Sequence, residues 1–243
     1  MDRKTFMRDV YSNYWITARE KIYGFSKYDQ CLCDYICKQI PRDEKILEVA
    51  IGTGYPFADY FQRNGYSLYG VDISPLLVEK CHSLNPNIQC KVGDAEKLEY
   101  PNQYFGLVYC FHSTWYFPNL EKAIDEMLRV THLGGIVMFD VQNLHNKEVR
   151  NSYNTILSQN TFTKTVIRCI KNSLKLVLRR GPIVWGFVVH ETPTFSKNIC
   201  TFLRKKGVKE FFVLAMNADG MFETRNEFDF FEDFPRLVFV IRK

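Results

Sequence analysis

The sequence predicts an α/β fold with a mostly parallel sheet and helices on both faces. Apolar residues 46–51 form a short strand pattern that leads directly into Gly52-Thr53-Gly54. Residues 104–111 are apolar throughout, which is typical of a strand buried on both faces of a parallel sheet. The glycines permit a sharp turn into a helix and a close approach of a flat ligand to the backbone. Together these patterns predict a ligand site at the carboxyl end of the first strand.

Seven strands alternate with helices along the chain. After the first strand, the predicted strands are residues 68–72, 88–92, 104–111, 136–140, 209–216 and 236–241. Two helices precede the first strand, and the second of them covers about residues 27–39. Ser74-Pro75 predicts a helix start, because serine caps a helix and proline fits its first position. No repeat or linker divides the chain, so we expect one domain over residues 1–243.

Acidic side chains stand at the carboxyl ends of three successive predicted strands. Glu48 lies near the end of the first strand, Asp72 closes the second, and Asp94 follows the third. Because these strand ends meet at one edge of the sheet, we expect the three carboxylates near one ligand. They suit a ligand with an amino acid end, a ribose and an adenine, and they suit a pyrophosphate badly. A dinucleotide fingerprint is also incomplete, since Phe57 stands at the place of its third glycine.

These segments resemble the motifs of the class I S-adenosylmethionine-dependent methyltransferase family. ILEVAIGTG stands where the family has E/D-x-G-x-G-x-G, YGVDIS resembles its ribose-binding strand end, and VGDAEKL resembles its adenine-binding turn. LRVTHLGGIVMFD resembles its later helix, turn and fifth strand. The chain departs from the family at Ala50, where glycine is usual, and at Gly106, where aspartate is usual. The resemblance implies a Rossmann-like sheet of seven strands with an antiparallel last strand, and S-adenosylmethionine (SAM) as cofactor.

The resemblance also implies which residues bind the cofactor. They are Tyr14, Glu48, Ala50, Gly52, Gly54, Asp72, Ile73, Asp94, Ala95 and Phe111. Residues 1–40 would form a helical lid over the cofactor, with Tyr11 and Tyr14 near the ligand. Aromatic stripes at helical spacing more often belong to the core, and that alternative stays open.

The loop after the fourth strand, residues 112–119, faces the transferred methyl group in a fold of this kind. His112, Tyr116 and the distant His190 are the candidate catalytic residues, because a histidine can remove a proton from a hydroxyl acceptor near neutral pH. Lone histidines are more often structural. A carboxylate acceptor would need only positioning groups. Candidates for that role are Arg150, Arg179, Gln142 and Asn143. We predict O-methylation of a small molecule or peptide, with N-methylation or a silent SAM-binding protein as alternatives.

Residues 145–191 form an insertion on the acceptor side of the predicted fold. No acidic residue stands between Glu148 and Glu191, and seven basic residues do. These are Arg150, Lys164, Arg168, Lys171, Lys175, Arg179 and Arg180. Apolar residues at helical spacing make the segment a basic amphipathic helix, which fits attachment to a membrane surface. Because charge runs usually form solvated faces, the sequence favours that simpler interpretation. The Phe-rich connection 217–235 is a candidate lid.

Composition narrows the class of protein further. With 46% hydrophobic and 24% charged residues, the chain has the composition of a globular protein. No apolar stretch approaches the ~18 residues of a membrane span, and the charged amino terminus lacks a signal peptide pattern, so we expect a cytoplasmic location. The net charge of +5 is too small to indicate nucleic acid binding. The scattered cysteines indicate no metal site, and the oligomeric state is left open.

Overall fold

In the part of the chain that the structure describes, eight strands form one mixed sheet. The computed structural model describes residues 2–16, 24–158, 162–178, 191–216, 222–225 and 232–243. The strands are β1 (Lys45–Val49), β2 (Ser67–Asp72), β3 (Gln89–Val92), β4 (Phe105–Cys110), β5 (Thr131–Gln142), β6 (Glu210–Met216), β7 (Phe222–Arg225) and β8 (Arg236–Arg242). Their order across the sheet is β3-β2-β1-β4-β5-β8-β6-β7.

The strand directions confirm the predicted Rossmann-like sheet. Strands β1 to β5 pair in parallel, and β8 runs antiparallel to both of its neighbours, β5 and β6. The short strand β7 pairs with β6 at the sheet edge, within a segment that the sequence analysis interpreted as a loop. Strand β8 pairs with β5 so that Gln142 lies opposite Arg236. This register brings both residues to the acceptor side of the sheet.

The helices among the described residues are α1 (Arg3–Phe6), α2 (Lys27–Gln39), α3 (Phe57–Arg63), α4 (Pro75–Leu84), α5 (Leu120–Val130), α6 (Lys147–Ser158), α7 (Phe162–Val177) and α8 (Ser196–Lys205). Helices α2, α3 and α4 pack on one face of the sheet, and α5 and α8 pack on the other. A π-helical turn, Met7–Tyr11, follows α1 directly. Alternate residues of β4 point to opposite faces: Leu107 and Tyr109 join the core with α2, α3 and α4, and Val108 and Cys110 join the core with α5 and α8. The strand is therefore apolar along its whole length.

Short polar side chains cap the amino-terminal ends of three helices. Ser74 accepts a hydrogen bond from the N–H of Leu77 and precedes Pro75, the first residue of α4. Ser26 caps α2 in the same way, and Asn119 caps α5. Each cap supplies an acceptor to a backbone N–H that has no partner within its helix.

The departure from the family pattern at Gly106 has a steric explanation. A Cβ added to Gly106 would collide with the side chain of Glu44. The carboxylate of Glu44 lies 3.1 Å from Nε2 of His132, so these two side chains fill the space beside β4. No helix among the described residues is both long and apolar enough to cross a bilayer.

The departure at Ala50 generates a stability prediction. Ala50 has a φ of +60°, a left-handed conformation that costs an L residue ~1–2 kcal/mol and glycine little. We expect Ala50→Gly to stabilise the protein by ~0.5–1 kcal/mol and to raise Tm by ~1–4 °C in thermal unfolding. Ala58→Gly, in the first turn of helix α3, is the matched control and should lower Tm, because it removes a buried methyl group and introduces glycine into a helix. A lower Tm for Ala50→Gly would contradict this account of the turn.

Candidate functional site

A pocket opens at the carboxyl ends of β1, β2 and β4, where the sequence analysis places a ligand. Of the ten predicted cofactor residues, eight line this pocket. They are Glu48, Ala50, Gly52, Asp72, Ile73, Asp94, Ala95 and Phe111. Tyr14 and Gly54 are not among the lining residues. The structure thus brings together most of the predicted residues, and their binding roles stay predictions.

Asp72 ties the glycine turn to the end of β2. Its Oδ2 accepts the N–H of Gly52 at 2.9 Å, and its Oδ1 accepts the N–H of Ser74 at 2.9 Å. Burial raises the pKa of Asp72 to about 6, although these backbone hydrogen bonds act in the opposite direction. Each carboxylate oxygen retains a second lone pair that can accept a ligand hydroxyl.

The two glycines of the turn have different surroundings. Gly52 has a φ of +59°, and a Cβ built on it would lie 3.4 Å from Nε1 of Trp15. The indole of Trp15 therefore covers the backbone of the turn. A Cβ on Gly54 would instead lie 2.8 Å from Nδ2 of Asn85, which donates to the carbonyl of Thr53. Gly54 permits close packing behind the turn, which explains why it does not line the pocket.

Glu48 is a buried carboxylate at the pocket wall. Only 4% of Glu48 is exposed, and its Oε2 accepts a hydrogen bond of 2.7 Å from the hydroxyl of Tyr109. Burial and the charge of Glu48 raise the pKa of Tyr109 well above its ordinary value, so the phenol remains a neutral donor. A buried carboxylate of this kind suits a ligand group that carries a positive charge.

The amino-terminal helical segment covers the pocket. Lys4 reaches Oδ2 of Asp94 at 2.6 Å and Oε2 of Glu96 at 2.8 Å, which fixes the segment over the third strand end. Met7, Tyr11 and Trp15 line the pocket from the same side. The sequence analysis placed Tyr11 near the ligand but not Lys4, Met7 or Trp15. Their spacing of three and four residues with Tyr11 is the signal of one helix face.

Tyr14 lies outside this face. It is 56% exposed, and Trp15 occupies the position over the glycine turn. The helix therefore turns Trp15 toward the ligand side and Tyr14 toward solvent.

Tyr116 stands at the acceptor side of the pocket. Its hydroxyl lies 2.8 Å from the hydroxyl of Tyr11 and donates to Oε1 of Glu191 at 3.4 Å. Burial raises the pKa of Tyr116 far above its ordinary value, and Tyr11 and Glu191 act in the same direction. The side chain is therefore a neutral phenol that can donate and accept hydrogen bonds but carries no charge.

A second cavity of about 390 Å³ has Trp115, the neighbour of Tyr116 in the chain, and Glu191 in its wall. Its walls come from α6, from Trp115, from residues 191–193 and from the start of β8. The apolar residues that line it are Trp115, Val149, Ile156, Pro193 and Pro235. The polar residues that line it are Gln142, Glu148, Ser152, Tyr153, Glu191 and Arg236. Glu191 belongs to this cavity and to the hydrogen-bond chain of Tyr116, so it connects the two spaces. Sequence reasoning noted Glu191 only as the end of the acid-free insertion.

His112 is not among the residues that line these two cavities. Its Nε2 lies 2.7 Å from Oδ1 of Asp29 on α2, and its backbone N–H donates to both carboxylate oxygens of Asp140. Burial alone would raise the pKa of Asp29, but hydrogen bonds from His112 and Ser26 lower it. His112 thus ties the loop 112–119 to helix α2 and to strand β5. The other histidine candidate, His190, lies outside the described residues.

The candidates for binding a carboxylate acceptor are dispersed. Gln142 lines the second cavity, whereas Asn143 is buried and bonded to Ser196 and to the carbonyl of Phe234. Arg150 is exposed on α6, and Arg179 lies outside the described residues.

Arg236 is the basic residue of the cavity wall. Its Nε donates to Oδ2 of Asp140 at 2.5 Å, and its Nη2 lies 3.7 Å from Oδ1 of Asp29. These two buried carboxylates offset its charge.

The order and directions of the strands define an α/β domain with the fold of SAM-dependent methyltransferases. Residues 47–139 match the family model described as a methyltransferase domain. Over these residues the match confirms the resemblance to the SAM-dependent methyltransferase family found in the sequence. The family and the fold imply SAM as the cofactor.

Known proteins match this chain over parts of their length. A demethylmenaquinone methyltransferase from Chlorobaculum parvum is 34% identical over 94 residues, 39% of this chain and 39% of that protein. A sterol 4-C-methyltransferase from Caenorhabditis elegans is 27% identical over 133 residues, 50% of this chain and 40% of that protein. The match thus spans about two fifths of each relative.

A solved structure of a SAM-dependent methyltransferase from Thermotoga maritima has the same fold. The TM-score is 0.61 at 15% identity, over 99% of this chain and 98% of that chain.

The pocket geometry predicts a pH-dependent role for Asp72. A carboxylate that accepts ligand hydroxyls must be ionised, so affinity for S-adenosylhomocysteine should fall as pH falls through about 6. Asp72→Asn removes the charge and the titration, and should weaken binding at least ~10-fold above this pH. Calorimetric titrations on both sides of pH 6 measure both effects.

Asp59→Asn is the control for Asp72→Asn, because Asp59 pairs with Arg63 on α3 and is not among the lining residues. It should leave affinity and its pH dependence unchanged. Wild-type affinity in a folded Asp72→Asn protein would remove Asp72 from the site.

Proposed function

We propose that this chain transfers the methyl group of SAM to a hydroxyl oxygen of a small molecule held in the second cavity. The observation that carries this proposal is the hydrogen-bond chain from Tyr11 through Tyr116 to Glu191. This chain stands at the junction of the pocket and the cavity, where an acceptor oxygen would meet the cofactor. Location in the cytoplasm remains our expectation for this enzyme.

The strand-end acids take the cofactor roles in this proposal. Asp72 accepts the ribose hydroxyls, Asp94 faces the adenine, and Glu48 receives the positively charged amino end. Trp15 and the rest of the amino-terminal segment act as a lid that excludes water from the pocket. The lining positions of these side chains support the assignment.

When bound, SAM supplies an electrophilic methyl carbon on a sulfonium, so the protein must align an acceptor and accept its proton. Tyr116 would take the proton of the acceptor hydroxyl as the new O–C bond forms and the bond between the methyl carbon and sulfur breaks, which leaves S-adenosylhomocysteine. In the same step Tyr116 would pass its own proton to Glu191. The phenol ends unchanged, and Glu191 carries the proton until solvent removes it. Alignment in the closed pocket contributes up to ~7–11 kcal/mol, and proton transfer adds ~10²- to 10⁴-fold in rate.

Charges in the cavity favour a hydroxyl over a carboxylate acceptor. Glu148 and Glu191 line the cavity, and the charge of Arg236 is offset by Asp140 and Asp29. An acceptor carboxylate would therefore enter a region of like charge. The apolar walls support an acceptor with an apolar body. The names of the relatives, a demethylmenaquinone methyltransferase and a sterol 4-C-methyltransferase, also support an acceptor with an apolar body.

The acceptor can be found by labelling. The protein is incubated with methyl-labelled SAM and an extract of its own cells, and mass spectrometry identifies what gains the methyl group. We expect an O-methylated small molecule. A methyl group on nitrogen or carbon would overturn the oxygen assignment. If no molecule in the extract gains a methyl group, the result would favour a silent SAM-binding protein.

The proton route predicts a specific loss of turnover. Tyr116→Phe and Glu191→Gln should each lower kcat by ~10²-fold or more with the acceptor so identified. KM for SAM should change little, because the route acts on the acceptor proton. Initial rates at varied SAM concentrations separate the two constants.

Glu148→Gln is the matched control for Glu191→Gln, since both residues line the second cavity. It should retain most of kcat. An equal loss in Glu148→Gln, or full kcat in Tyr116→Phe, would contradict the proton route.

A further inference from the structure

Helix α7 turns its apolar side chains outward. These side chains are Val166, Ile167, Ile170, Leu174, Val177 and, directly after the helix, Leu178, and they are between 41% and 80% exposed. At ~100° per residue they occupy an arc of roughly 120° on the helix. A helix of a globular protein usually turns such a stripe toward the core. Here the stripe forms a contiguous apolar surface, which we call the α7 face.

Helix α7 packs on the rest of the protein with a side other than the α7 face. Asn172 is only 5% exposed and Cys169 is half-buried, and both lie on the helix side away from the apolar arc. The α7 face is therefore not the surface that these described residues use to pack on the rest of the protein. Large exposed apolar patches of this kind mark interaction sites.

Positive charge borders the α7 face. Lys171 and Lys175 are exposed, and at helical spacing they lie along one edge of the apolar arc. The whole stretch between Glu148 and Glu191 contains seven basic residues and no acidic one. An apolar face flanked by lysines complements a lipid surface with negatively charged headgroups, because the apolar groups enter the acyl boundary and the ammonium groups stay among the phosphates.

We propose that the α7 face attaches this protein to a negatively charged membrane surface. The helix lies in the plane of the interface with Ile170 and Leu174 near the centre of contact. Helix α6, which precedes α7 in the chain, supplies a wall of the second cavity. Attachment through α7 therefore holds that cavity near the bilayer. The proposal depends on the exposed face and its charge, and it stands independently of the reaction proposed above.

Vesicle flotation tests the attachment. The full chain is mixed with vesicles of phosphatidylcholine alone or of phosphatidylcholine with phosphatidylglycerol, at low and at high salt. We expect binding to the negatively charged vesicles, weaker binding at high salt, and little binding to neutral vesicles. The double variant Ile170→Asp/Leu174→Asp should bind at least ~10-fold more weakly.

Leu133→Asp is the matched control, because Leu133 is a 71% exposed leucine at the start of β5. It should bind vesicles like the wild type. Circular dichroism and S-adenosylhomocysteine binding verify that each variant is folded. Absence of wild-type binding, equal binding to both vesicle types, or unchanged binding of the double variant would overturn the proposal. A dimer that the double variant abolishes, without vesicle binding, would assign the α7 face to a second copy of the chain.

Discussion

The site depends on one buried carboxylate, that of Asp72. It receives the N–H groups of Gly52 and Ser74, so a single side chain fixes the turn after β1 and the start of α4. The cost of placing a carboxylate in this environment is visible in its pKa, which burial raises to about 6. The turn that Asp72 holds against β2 is the one that Trp15 covers at Gly52.

A second set of buried charges organises the acceptor side. Asp140 at the end of β5 receives the N–H of His112 and the guanidinium of Arg236, while Asp29 on α2 receives the ring of His112. Three separate elements are thereby fixed around the loop that carries Tyr116. Removing one partner would leave a buried charge unpaired, which is costly in a low-dielectric interior. The loop is consequently a rigid support for the groups that face the cavity.

Local patterns account for what the sequence predicts correctly. Strand ends, glycine turns and capped helices depend on neighbouring residues, so Glu48, Asp72 and Asp94 could be placed at the pocket from their positions after apolar runs. The edge strand β7 was missed because its four residues lie in a long Phe-rich connection without an alternating pattern.

The orientation of single side chains depends on tertiary contacts. His112 has a φ of +58° and faces Asp29, which is distant in sequence, so its position in the loop 112–119 gave no indication of its partner. Whether Trp15 or Tyr14 faces the pocket depends on how the helix is rotated about its axis. Glu191 reaches the site from the far end of an insertion, and no local motif marks it.

The central claim is that the three strand-end acids form a site for SAM and not for a dinucleotide. The most direct measurement is a pair of calorimetric titrations of the same protein with S-adenosylhomocysteine and with NAD. The account predicts saturable binding of S-adenosylhomocysteine and no binding of NAD. Binding of NAD without binding of S-adenosylhomocysteine would contradict it.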